Sequence, residues 1–121
     1  MLTAIINFYI LNLVNDMKLR YQDKKIELIE CKSFFSRFRG FMLKKNIDYA
    51  LLFKHCNSIH TFFMCEAIDV IFCNEENEVL YYYRNFTPHH VIWPRKGATR
   101  VYELPACYFD IHVSSVLEVL K

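Results

Sequence analysis

Glycine is scarce in this chain, with two among 121 residues, beside three prolines and one tryptophan. Two glycines cannot build a glycine-rich phosphate loop or a dinucleotide fingerprint. The same scarcity argues against linkers, low-complexity tracts and disorder. A dominant charge is also missing: 15 Lys and Arg face 13 Asp and Glu, a formal balance of +2. So small an excess does not suit a nucleic-acid partner. Cysteine is present but unpaired in pattern, five residues with no C-x-x-C, which fits a reducing cytoplasm rather than a disulfide framework. There is no H-E-x-x-H and no G-x-S-x-G. His55, Cys56, His60, Cys65, Cys73, His89, His90, Cys107 and His112 are metal-ligand types, but they lack the short-range pairs of a structural zinc site. Neither a metal nor a cofactor is expected.

What is present is apolar mass: 54% hydrophobic residues and 17% aromatic ones, enough for one domain with a real core. Residues 2–14 (LTAIINFYILNLV) are apolar but broken by Asn7 and Asn12. The run is shorter than the roughly 20 residues a membrane-spanning helix needs. No basic residue precedes it and no small-residue cleavage site follows, so it makes a poor secretory signal. The expected division is an N-terminal add-on over 1–16 and a single β-rich domain over 17–121.

Along that domain, 18–21 and 25–31 alternate polar and apolar residues around a Gln22-Asp23-Lys24 turn, the pattern of a hairpin with one wet face. The period then changes. Residues 33–43 (SFFSRFRGFML) put Phe34, Phe35 and Phe38 at helical spacing, with Ser33 as N-cap and Gly40 as the stop. A short helix over about 33–41 is predicted, with Arg37 and Arg39 on its polar side and able to reach a buried carboxylate such as Asp69 or Glu103. Strands follow at 49–53, 79–84 and 100–104, with shorter ones at 111–113 and 116–120. Residues 85–100 form the loosest stretch and hold Trp93, His89 and His90. The expected fold is mainly β, an antiparallel sandwich or barrel-like domain with one short helix.

Residues 58–73 (SIHTFFMCEAIDVIFC) read as two apolar strands joined at a bend. On alternation, His60, Phe62 and Met64 share one side of the first strand. In the second, Asp69 sits between Ile68 and Val70. A buried carboxylate there must be paired, hydrogen-bonded to amides, protonated, or aimed into a wet cleft. Cys107, just after Pro105-Ala106, is the thiol placed on a turn.

Residues 37–42 (RFRGFM), 58–64 (SIHTFFM), 68–72 (IDVIF) and 103–106 (ELPA) stand in the order and spacing of a small bacterial and archaeal family, domain of unknown function 192. The chain resembles that family from Met17 to its C terminus. The resemblance implies a compact, mainly β domain with one short helix and carries no established activity. The positions matching its motifs are Arg37, Gly40, Met42, His60, Met64, Asp69, Glu103, Leu104 and Pro105. There are two departures: Cys107 stands where the family usually has glycine, and Ser114-Ser115 where it tends to have Gly-Asp.

Without a complete catalytic constellation, the leading expectation is a non-enzymatic module binding a small ligand or a protein. Its candidate site residues are Arg37, His60, Met64, Asp69, Trp93 and Glu103. The alternatives are an enzyme using Asp69 and His60 as an acid–base pair, and a scaffold that docks on a membrane or partner through 1–16.

Overall fold

The structure, a computed structural model, describes residues 16–121. The N-terminal segment proposed as a docking element therefore lies, apart from Asp16, outside the described residues. Nine strands and one helix follow in the order β1 (Lys18–Tyr21), β2 (Lys24–Glu30), α1 (Phe34–Arg39), β3 (Ala50–Lys54), β4 (Ile59–His60), β5 (Ile68–Cys73), β6 (Val79–Phe86), β7 (Val91–Ile92), β8 (Arg100–Pro105) and β9 (Glu118–Leu120). Seven strands make one curled sheet, β6-β5-β8-β3-β2-β1-β9, while β4 and β7 form a separate two-stranded ribbon. The fold is mainly β with one short helix, as the sequence predicts.

Alternation sets the layers. In β1 and β2, Leu19, Tyr21, Ile26 and Leu28 turn inward, while Lys25 and Glu27 stay exposed. The two strands meet through the tight turn Gln22-Asp23, with Tyr21 opposite Lys24. β5 is buried along its whole length, because β6 and β8 pair on its two edges and core covers both its faces. Ile71 and Cys73 join Tyr102, Leu104, Leu28 and Phe109 in one layer. Ile68, Val70 and Phe72 join Val101, Phe53, Phe41 and Met64 in the other. The sheet curls far enough that Glu78, just before β6, bridges Val116, just before β9.

All neighbouring strands of the large sheet run antiparallel except β2 and β3, which are parallel. A parallel pair needs a crossover, and α1 lies in it. Its cap is the predicted one: Ser33 Oγ accepts the Ser36 N–H at 3.1 Å, and Gly40 ends the helix at φ +50°. Its packing differs from what a phenylalanine stripe suggests. No residue of α1 is buried, and Phe34 is 87% exposed.

The central stretch also departs from the sequence reading. Its first half is a strand only at Ile59 and His60, and it pairs with β7 rather than with β5. Phe63, at φ +61°, breaks the extended run that residues 59–64 were expected to form. Thr61 fixes the break. It is fully buried, its N–H donates to His90 O at 2.8 Å, its Oγ1 accepts from His90 N at 3.0 Å, and its carbonyl accepts from His89 N at 2.9 Å. The stretch 111–113 is not a strand, although Ile111 is buried.

Both departures from the family pattern fall at left-handed backbone: Cys107 has φ +60° and Ser114 φ +79°. A side chain there costs about 1 kcal/mol or more, partly offset because glycine loses more entropy on folding. Ser114→Gly is therefore expected to raise stability by up to about 1 kcal/mol in urea unfolding, whereas Ser114→Ala brings no gain. An equal gain from alanine would show that the backbone angle is not what limits this turn.

Candidate functional site

A cleft of about 280 Å³ opens where α1 lies over the sheet, lined by Arg37, His60, Met64 and Glu103 among polar and apolar neighbours. Three elements supply the polar groups, and Met64 comes from the loop after β4. The α1 crossover brings Arg37, Arg39 and the aromatic lip of Phe34 and Phe38, the ribbon strand β4 brings His60, and β8 brings Glu103 to the floor.

Glu103 is the unusual group. It is 3% exposed, and its Oε1 has no hydrogen-bond partner among the described residues. Burial pushes its carboxyl from an ordinary 4.5 up to about 8, and a hydrogen bond from the Phe41 backbone amide restrains the shift. Gly40 makes room for it. A β-carbon on Gly40 would stand 3.1 Å from Oε1 and 3.6 Å from the Phe53 ring. The carboxyl at the floor is thus largely protonated near neutrality and offers both a donor and an acceptor.

The walls are less constrained. Neither Arg37 nor Arg39 forms an ion pair among the described residues. The His60 ring lies between Phe38, with centroids 5.6 Å apart, and Phe62, stacked at 5.3 Å. His60 Nδ1 accepts the Phe62 N–H at 3.2 Å, which leaves Nε2 to carry the proton of a neutral ring. Cys56 also lines the cleft and donates to Ser58 O at 3.1 Å. Burial raises its thiol, and burial together with the nearby Glu103 pushes Cys31 up to about 12, so both sulfurs are held as thiols. Among the described residues, no three His, Cys, Asp or Glu side chains gather closely enough to hold a metal ion.

Arg37, His60, Met64 and Glu103 thus come together, and two other sequence candidates lie elsewhere. Asp69 pairs with Leu104 across the β5–β8 ladder, while Val70 pairs with Glu103. Adjacent positions point to opposite faces, so the two buried acids occupy different core layers. Asp69 is fully engaged: Oδ1 accepts the Asn85 N–H at 2.8 Å and Oδ2 accepts the Tyr82 hydroxyl at 3.1 Å. Its companions come from β6, and it makes no contact with His60 or the helix arginines. Trp93, 70% exposed, follows β7 and does not line the cleft. Sequence reasoning missed Cys56 as part of this site. Arg39, two positions from Arg37 on the polar side of the helix, had a legible signal as a group able to reach a buried carboxylate but was left out of the candidate site.

A family model, DUF192, described as uncharacterized ACR, matches residues 17–119. The chain belongs to that family. The DUF192 relatives it resembles are UPF0127 proteins. The one from Thermococcus sibiricus is 36% identical over 104 residues, covering 81% of this chain and 66% of the relative. The one from Thermococcus kodakarensis is 32% identical over 99 residues, covering 77% and 61%. This chain spans slightly under two thirds of the length of these curated relatives. Two solved bacterial structures share the DUF192 fold. A candidate transcription regulator from Sinorhizobium meliloti superposes with a TM-score of 0.73 at 17% identity, covering 85% of this chain and 91% of its own. A protein of unknown function from Novosphingobium aromaticivorans gives 0.61 at 14% identity, covering 75% and 72%. Of the DUF192 motif positions carried by this chain, Arg37, Gly40, His60, Met64 and Glu103 all line the cleft.

Two expectations follow. Between pH 4.5 and about 8 the folded domain keeps a proton on Glu103 that the unfolded chain has released. Stability therefore falls as pH rises across that window and levels off above it, an effect on the order of several kcal/mol. Glu103→Gln should flatten the fall between pH 5 and pH 9 in urea unfolding; an unchanged slope would mean the carboxyl is ionised in the fold. Asp69→Ala strands the Tyr82 hydroxyl and the Asn85 amide and should cost about 3 kcal/mol. Loss of under about 1 kcal/mol in the same measurement would show that water replaces the carboxylate.

Proposed function

We propose that this domain is a non-enzymatic binding module whose ligand is a small molecule held in the cleft between α1, β4 and β8. The observation that carries this reading is Glu103 Oε1, buried at the cleft floor beside Gly40 with no partner in the described chain. Buried polar atoms are nearly always satisfied, and one left open within a cleft suits a group supplied from outside. A pocket of about 280 Å³ lies at the lower end of the range for small-molecule sites, so the ligand is compact. Apolar walls from Phe38, Phe53 and Met64 around a few polar groups are what such sites have in common.

Several observations favour binding over catalysis. The Cys56 thiol in the cleft and the buried Cys31 thiol near it are both pushed toward the protonated form, which deprives them of nucleophilic character. Asp69, the acid suggested as a partner for His60, is bonded on the other face of the sheet. The five cysteines are all unpaired, in keeping with a reducing cytoplasm as the working compartment. No described helix is long and apolar enough to cross a membrane.

The test is amide NMR of the full chain against a mixture of small anionic, cationic and neutral fragments. Shifts gathered at Arg37, Gly40, Phe41 and His60 are the expected result. Shifts scattered over the surface, with the cleft amides unmoved, would overturn the small-ligand reading.

A further inference from the structure

Resting on the small-ligand reading of this cleft, we propose that the molecule it takes is a small monocarboxylate, its carboxylate held between the Arg37 guanidinium and the Glu103 carboxyl and its apolar body against Phe38 and His60. The charge that the cleft can accept decides the ligand's chemistry. The charged and titratable groups lining the cleft with Glu103 are Arg37 and Arg39 from α1, Cys56 after β3 and His60 of β4, and Cys31 after β2 feels both Glu103 and Arg37. Of these, the two guanidinium groups are charged at all working pH values, and neither is neutralised by an ion pair among the described residues. The thiols stay neutral because burial raises them. The floor carboxyl is kept neutral by the same desolvation.

A cation entering this space would have to ionise a buried acid and sit beside two uncompensated arginines. A neutral amide could pair with Glu103 but would leave the arginines unused. An oxyanion meets both demands: one oxygen accepts the Glu103 O–H, and a guanidinium forks onto the carboxylate in charge-assisted bonds. Phosphate fits less well, because its second negative charge would face the carboxyl-terminal end of α1 at Gly40. Size is consistent with this choice. A cavity of about 150 Å³ suffices for benzene, so the cleft holds one ring with its carboxylate. No bond is made or broken in this binding step.

The proton on Glu103 gives the inference its own signature. The complex needs the acid form, and with the carboxyl titrating near 8, affinity for a carboxylate drops about tenfold between pH 7 and pH 9. The experiment titrates the full chain, by amide NMR, with benzoate, benzamide and benzamidine as ring-matched anion, neutral and cation. Benzoate is expected to bind at least about tenfold more tightly than the other two, to shift Arg37, Gly40 and Phe41, and to weaken toward pH 9. Arg37→Gln should abolish that preference. Glu103→Gln should keep benzoate binding and lose its pH dependence. Both variants alter a half-exposed or isosteric side chain, and the retained amide spectrum reports that they fold. Equal binding of benzamide, tighter binding of benzamidine, or no response to benzoate overturns the carboxylate inference. The small-ligand reading falls only if the fragment mixture also leaves the cleft silent.

Discussion

The arrangement of this domain depends on one buried carboxyl. Glu103 sits in the middle of β8, a central strand, with its side chain directed into the apolar layer that α1 and the ribbon cover. Burying an ionised carboxylate in such a place costs far more than a domain of this size can spare, so the group takes up a proton instead. That neutral acid needs a neighbour without a β-carbon above it, and the chain supplies Gly40 at the end of α1. The positive φ that stops the helix and the missing side chain that admits the acid are thus demands on one residue.

The surrounding elements can be understood as a frame for that contact. The parallel β2–β3 pair forces a crossover, and the crossover brings α1 over the sheet. The β4–β7 ribbon closes the other side, pinned by the hydrogen bonds of Thr61, and places the His60 ring between two phenylalanines. The opposite layer, built around Tyr102, Leu104 and Leu28, holds Asp69 in hydrogen bonds from β6 and carries the bulk of the packing. One face of the sheet is spent on stability and the other keeps an opening.

Much of this was legible in the residues. Alternation located β1 and β2, continuous apolar character marked β5 as doubly covered, and the Ser33 and Gly40 signals bounded α1. The misreadings have physical reasons. Helical spacing shows which side chains share a side but not what covers them, so the exposure of the α1 phenylalanines could not be seen. The break after His60 has a positive φ at Phe63, a residue without the turn signature of glycine or asparagine. The sequence puts Asp69 and Glu103 in one candidate site with Arg37 and His60, whereas the structure sets the two acids in different layers. Their separation follows from the register Asp69↔Leu104, a pairing between positions far apart in the chain that leaves no local trace.

The exposed helix has a further consequence for motion. An element that buries none of its side chains contributes little to the cooperative core, so it can lift or fray without the sheet unfolding. Each such excursion would let water reach the floor acid, favour its ionisation and thereby stabilise the lifted form.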